Sequence, residues 1–164
     1  MSERVVAAVA LGSNLGEREQ LMKRAQSLLE KLEGVVLLRR SAWHETAPVG
    51  GPAGQGAYLN GAALLETTLA PADLLEALQG IEARLGRDRE AEGPNGARPM
   101  DLDLLWHGDA SLASDGLTLP HPRLEERLFV LEPLAEIAPD HVLPGCGRTV
   151  VERIEELRSA ASEA

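Results

Sequence analysis

The stretch ARPMDLDLLWHG, Ala97 to Gly108, sets two carboxylates one residue apart among leucines. On a strand, the period of two puts Asp101 and Asp103 on one face, about 6.6–6.8 Å apart along the backbone, and turns Leu102 and Leu104 to the other. Like charges at that spacing repel unless a cation sits between them. Two readings are open: the polar face of a half-exposed strand, or a pair of ligands for Mg²⁺. Phosphoryl transfer often uses two such ions about 3.5–4 Å apart. Mg²⁺ is satisfied by one or two carboxylates plus water and phosphate oxygens, without a dedicated protein cage. Nothing in the sequence favours zinc, since there is one cysteine, Cys146, and the four histidines are scattered.

The cations fit the second reading. The only lysines are Lys23 and Lys31, so positive charge is almost all arginine, the residue of forked phosphate recognition. Arg87 and Arg89 share a loop with Asp88, Glu90 and Glu92, and Arg98 stands just before the aspartate strand. Interleaved charge of this kind solvates a loop. Flexible arginines beside a metal strand can also close over a leaving pyrophosphate. His121 lies between Pro120 and Pro122, and Arg127 follows a turn later, so both can face one phosphate. No GxxxxGK[ST] is present, which excludes a P-loop.

The chain has one tyrosine, Tyr58, and one phenylalanine, Phe129. Leu and Ala fill comparable positions elsewhere, so the aromatic choice needs a reason. Tyr58 and Asn60 share a strand face by period two. They are either a packed aromatic with a polar neighbour or a stacking ring beside an amide that reads a flat heterocycle. Phe129 can supply the opposite slice. His44, His107, His141 and Cys146 read as structural or exposed.

The elements that must position these groups follow from periodicity. RVVAAVALG predicts a buried strand from about Val5 to Leu11. Leu21, Ala25, Leu28, Leu29 and Leu32 keep helical spacing up to Gly34. VVLLRRSAWHET predicts one strand, APVGGPAGQGA an uncharged loop, and YLNGAALLETT a third strand. In APADLLEALQGIEARLG, Pro71 suits a first helical turn, Leu74, Leu78, Ile81 and Leu85 form a stripe, and Gly86 ends it. A charged loop, RDREAEGPNGARP, precedes the aspartate strand.

This order, β-α-β-β-α-β, predicts an α+β fold with a ferredoxin-like core. Both helices lie on one face of an antiparallel sheet, leaving the other for a ligand or further helices. The rest of the chain predicts additional C-terminal helices and strands in α/β/α layering. One helix is expected over roughly Arg123 to Val130, a short turn after Pro133, and a last helix from Val150. The last helix has Thr149 and Glu152 as a capping box. The two loops are longer than ordinary connections and can reach one edge of the sheet.

Composition bounds the rest. A chain of 164 residues predicts a single domain, 1–164, with a full core. A net charge of −10 argues against nucleic acid as a partner. No apolar run reaches membrane-span length, and MSERVVAAVALG lacks the features of a signal peptide. A cytoplasmic monomer acting on small molecules is expected.

Taken together, these residues resemble the 6-hydroxymethyl-7,8-dihydropterin pyrophosphokinase family. The resemblance runs through ALGSNLG, ETAPVG, YLNGAALLET, RPMDLDLL and LTLPHPRLEERLFVLEPLAEIAPD, and so covers nearly the whole chain. It implies transfer of pyrophosphate from ATP to the hydroxymethyl group of a reduced pterin, with release of AMP. It implies that Asp101 and Asp103 hold two Mg²⁺ ions, and that Tyr58 and Phe129 sandwich the pterin. Asn60 reads the pterin edge together with backbone around Thr46 and Val49. Gln79, Glu82, Arg89, Arg98, Thr118, His121 and Arg127 fall at the family's ATP contacts, and Arg87 and Arg98 at its mobile catalytic arginines. One departure stands out. The family often has Arg-Trp-Gly-Pro-Arg before the aspartate strand, whereas this chain has PNGAR, with Asn95 in place of the tryptophan.

Two other classes share some of these features. Palm-type nucleotidyl transferases and cyclases also put metal-binding aspartates on ferredoxin-like sheets, and an acidic chain with no basic groove speaks against a polymerase. A non-catalytic small-molecule module would explain the fold but not the aspartate pair beside Arg98.

Overall fold

A computed structural model of the chain describes residues 4–13, 18–46, 58–85, 100–114 and 116–163. In chain order it contains β1 (Val5–Ser13), α1 (Arg18–Glu30), β2 (Val35–Arg40), β3 (His44–Thr46), β4 (Tyr58–Thr67), α2 (Pro71–Arg84), β5 (Asp101–His107), β6 (Leu112–Ser114) and β7 (Leu117–Leu119). A 3-10 turn (Leu124–Glu126) and helices α3 (Leu128–Ile137) and α4 (Val150–Glu163) complete it. The main sheet runs β2-β4-β1-β5 with β3 also on β4, and β6 and β7 form a separate hairpin. Every pairing in the main sheet is antiparallel. This is the expected ferredoxin-like order, with β1 and β4 in the middle. No helix among the described residues is long and apolar enough to cross a membrane.

β1 has aliphatic residues on both sides because both sides are covered. Ala7, Val9 and Leu11 pack with α1 and α2, while Ala8 and Ala10 pack with α3 and α4. Leu102 and Leu104 of β5 belong to the first core, as their alternation with the aspartates predicts. Past an exposed Val6 at its start, the second face presents only small side chains along β1: Ala8, Ala10, then Gly12. α3 can therefore lie close to the sheet, and beyond its end there is room for a cavity.

The C-terminal third departs from expectation in two respects. The helix expected from Arg123 to Val130 is a 3-10 turn, then an extended Arg127 (φ −107°, ψ 99°), then α3 from Leu128. Pro133 lies inside that helix and does not end it. A proline there removes one helical hydrogen bond and crowds the carbonyl four residues back, at a cost of about 3 kcal/mol or more. Val130, Leu131, Leu134 and Ile137 are all buried, and each contributes roughly 1.5–3 kcal/mol, so packing outweighs the proline. α4 begins as predicted. Glu152 N–H donates to Thr149 Oγ1 (3.2 Å) and Thr149 N–H donates to Glu152 Oε1 (2.9 Å), closing the capping box.

The single strand expected over VVLLRRSAWHET is divided into β2 and β3 at a joint. Ser41 N–H donates to the Ala62 carbonyl (2.9 Å), and Ala62 N–H donates to Ser41 Oγ (2.9 Å). His44 stands opposite Asn60, so Ala42 and Trp43 together oppose Gly61, a β-bulge. The Trp43 ring occupies the space a side chain at Gly61 would need, since a Cβ there would lie 2.4 Å from the indole. Arg40 stacks over the ring at 4.4 Å. On the opposite face Glu136 of α3 accepts the Ala42 N–H (2.9 Å) and contacts His44. The joint fixes β3 against β4 at Asn60.

Gly61→Ala should therefore destabilise the protein by about 1–3 kcal/mol, the usual cost of overpacking, and a second change, Trp43→Leu, should restore most of the loss. Urea unfolding of the single and double variants checks this. A Gly61→Ala protein as stable as the parent would show that the indole can move aside and that the joint is not close-packed.

Candidate active site

Register places the two predicted polar groups on either side of β1. Gly12 pairs with Asn60 on one flank and with Asp101 on the other, and Ala10 pairs with Asp103. Strands lie about 4.8 Å apart, so Asn60 and Asp101 stand roughly 10 Å from each other across a residue without a side chain. These residues form the floor of a cavity of about 830 Å³, and Phe129, Arg123 and Arg127 line it from above. A smaller cleft of about 320 Å³ is lined by Asp103, Thr118 and His121, with Leu75 of α2. Asp103 borders both.

The cations of the site come from one short segment. The residues that flank and end the 3-10 turn, Arg123, Glu126 and Arg127, all line the larger cavity, while the inner residue Leu124 is buried in the second core. The Arg127 guanidinium lies over the Phe129 ring at 5.6 Å, within cation–π range. His121 is held below its ordinary pKa of 6.5, first by burial and then by the positive charges of Arg127 and Arg123, against the opposing pull of Asp101. Arg123 N–H donates to His121 Nδ1 (3.1 Å). An imidazole that accepts at Nδ1 while neutral carries its proton at Nε2. His121 is thus a neutral donor.

Asp101 and Asp103 are each partly exposed. Among the described residues no cluster of three or more His, Cys, Asp or Glu could hold a metal ion. Two carboxylates without a third protein ligand do not suit structural zinc, but they match Mg²⁺ completing its shell with water and phosphate oxygens.

The structure brings Asp101, Asp103, Asn60, Phe129 and Arg127 to one cavity, and Thr118 and His121 to the adjoining cleft. Thr46 and Tyr58 pair at the end of the β3–β4 ladder. Gln79 and Glu82 line neither cavity. Gln79 is exposed on α2, whereas Glu82 is buried and accepts the Leu102 N–H (2.8 Å), between the two aspartates. Val49, Arg87, Arg89, Asn95 and Arg98 lie outside the described residues. The remaining histidines, expected to be structural or exposed, each have a partner: His107 Nε2 bonds the Leu69 carbonyl (2.7 Å), His141 stacks on Trp106 at 3.7 Å, and His44 meets Glu136.

Arg123 and Leu157 also line the larger cavity and were not expected there. His121, Arg123 and Arg127 are three cation-capable side chains at spacings of two and four in PHPRLEER, a pattern that could have singled out Arg123. Leu157 of α4 carried no signal, because its stripe looks like that of any core helix.

Comparison with known proteins gives the family. Residues 8–139 match the family model described as 7,8-dihydro-6-hydroxymethylpterin-pyrophosphokinase (HPPK). A protein of Synechocystis named 2-amino-4-hydroxy-6-hydroxymethyldihydropteridine pyrophosphokinase is 41% identical over 156 residues, covering 94% of this chain and 77% of that one. A Bacillus subtilis protein of the same name is 45% identical over 132 residues, 80% of this chain and 77% of the relative. A crystal structure of Plasmodium falciparum HPPK-DHPS with pteroate superposes with a TM-score of 0.77 at 13% identity, which speaks for the fold alone; the match covers 99% of this chain and 44% of that longer one. With the family model spanning residues 8–139 and relatives of that name 41% and 45% identical over most of the chain, this protein belongs to the 7,8-dihydro-6-hydroxymethylpterin-pyrophosphokinase family.

Proposed function

We propose that this chain transfers the terminal diphosphoryl group of ATP to the hydroxymethyl oxygen of 6-hydroxymethyl-7,8-dihydropterin, a step of folate biosynthesis. The hydroxymethyl oxygen attacks the β-phosphorus, the bond from that phosphorus to the α-phosphate oxygen breaks, AMP leaves, and the hydroxyl proton passes to solvent. The observation that carries this reading is the placement of Asn60 and the two aspartates on one floor, either side of Gly12. A flat ligand read by Asn60 and covered by Phe129 would present its substituent toward Asp101. The palm-type transferase reading finds no support among the relatives.

Asp101 and Asp103 would hold two Mg²⁺ ions, which when bound neutralise charge on the transferring phosphates. Arg127 and His121 bind the triphosphate from the turn side, His121 by donating Nε2–H without adding charge of its own. Thr118 completes the smaller cleft, where the nucleoside part of ATP fits. Tyr58 would face Phe129 across the pterin, with backbone near Thr46 and Val49 completing its recognition. Gln79 and Glu82 serve the ATP side, Glu82 through the metal strand that it bonds. Arg89 contacts ATP, and Arg87 and Arg98 assist transfer. Such catalysis is alignment and charge stabilisation, without a strong general base. The chain acts as a single domain over 1–164, as a cytoplasmic monomer.

The direct test is AMP formation from ATP with and without the pterin. AMP that appears only with pterin and Mg²⁺ supports the proposal, while pterin-independent hydrolysis or no AMP overturns it. Asp101→Ala and Asp103→Ala should each lower turnover by at least about 10²-fold, the scale of losing one electrostatic stabiliser, while the apo fold survives because one like charge is gone. Wild-type turnover in both would remove the metal role.

Phe129→Ala should weaken pterin binding by roughly 1–3 kcal/mol, judged from base–aromatic stacking, and ATP binding much less. Calorimetry with each ligand separately decides, and equal losses would point to general collapse of the site.

The lowered pKa of His121 gives a third expectation. Its neutral form is favoured in the fold, so its contribution to stability is fully present above pH 6.5 and is lost as pH falls through the lowered folded value. NMR titration should find an imidazole midpoint below 6.5 that rises in Arg127→Gln, and His121→Gln should flatten the acid side of the stability profile. An unshifted midpoint would mean that the arginines do not press on this ring.

A further inference from the structure

The turn that carries the site's cations has a second set of attachments, on its outer side. Glu125 is its central residue, and both its backbone and its side chain are held by the segment that follows α3. Arg153 of α4 donates Nε–H to the Glu125 carbonyl at 2.7 Å. Gly145, in the PGCG turn before α4, donates its N–H to Glu125 Oε2 at 2.8 Å. The second contact leaves no room for a side chain, since a Cβ on Gly145 would lie 2.4 Å from Oε2 and 2.8 Å from Oε1. Gly145 and Arg153 both lie beyond residues 8–139, the span that matches the family model.

The turn is too short to hold itself. A three-residue 3-10 segment has few internal bonds; its N-cap residue Arg123 makes no side-chain cap, and the bond from the Arg123 N–H to His121 Nδ1 holds only its leading end. Leu124 fixes its depth by burial, but one buried side chain does not fix rotation about the turn. The two bonds to Glu125 supply that restraint from the side opposite the cavity. Arg123 and Arg127 then project inward from a fixed base.

We propose that Arg153 and Gly145 are positioning residues for the phosphate-facing cations: through Glu125 they set where Arg123 and Arg127 point, and the region beyond the family match thereby tunes ATP binding. Neither touches the substrate. This rests on the reading of the larger cavity and its cleft as the ATP and pterin site.

The test compares Arg153→Leu, Gly145→Ala and Glu156→Gln in the full chain. Arg153 also meets Glu156 (3.5 Å), so Glu156→Gln removes that ion pair and leaves the Glu125 bonds intact. In Gly145→Ala the Glu125 carboxylate must swing away, which breaks the bond without altering α4. Arg153→Leu and Gly145→Ala should each raise the KM for ATP by roughly 10-fold, the scale of a modest misplacement of binding groups. Pterin affinity by calorimetry should stay within about twofold, since a change confined to ATP binding need not touch the other ligand. Glu156→Gln should behave as the parent, and Arg153→Lys, which keeps a donor, should fall between. Amide hydrogen exchange across Arg123–Arg127, measured without ligand, should speed up in Arg153→Leu and Gly145→Ala only. Equal losses for ATP and pterin, or an unchanged KM for ATP with normal exchange, overturns the proposal. If the parent protein forms no AMP, the functional reading fails, and the exchange measurement still decides whether Glu125 is anchored as inferred.

Discussion

Close approach over the middle of the sheet is the constraint on which the site depends. Past an exposed Val6 at its start, the second face of β1 offers only Ala8, Ala10 and Gly12. Large side chains there would hold α3 away and fill the space between Asn60 and Asp101. Small ones let α3 pack down at one end and leave a floor at the other. The same strand is lined on its first face by Val9 and Leu11, so its two faces do different jobs. One anchors the helices that precede the aspartate strand, and the other makes room for a ligand. The joint at Ser41 and Trp43 belongs to the same economy of space, because Gly61 lacks a side chain so that an indole can brace the strand bearing Asn60.

Charge is arranged around that floor in opposed groups. Two carboxylates rise from β5, and two guanidiniums project from the turn above them. The carboxylates alone would repel each other. Between the two sets lies His121, kept neutral by burial and by the guanidiniums. A protonated imidazole there would add to the cationic side and break the bond from the Arg123 amide. The balance leaves the space attractive to a ligand that carries both phosphates and divalent cations, and less so to either alone.

Much of this was legible in the residues. Period two placed the aspartates opposite Leu102 and Leu104, and the order of helices and strands gave the sheet topology, because both rest on local patterns of burial. The capping box of α4 was likewise local. Three features were not. Pro133 reads as a helix end, and only the buried residues around it, contributed by other elements, make it tolerable. The division of β2 from β3 depends on Ser41 reaching Ala62, twenty-one residues away, and no pattern within the segment reports that. The bond that the Glu82 carboxylate accepts from the backbone amide of Leu102 is also non-local. A sequence shows that a glutamate is present on a helix face but not which strand will come to lie against it.

Asp103 stands in the wall common to the cavity and the cleft. A carboxylate in that position is a shared electrostatic boundary. Any cation that settles on it alters the potential in both compartments at once. Two ligands that each respond to that potential are then linked, and linkage is reciprocal: whatever one does to the affinity of the other, the other returns in equal measure. Coupling of that kind would run through one side chain and would require no movement of the backbone between the two spaces.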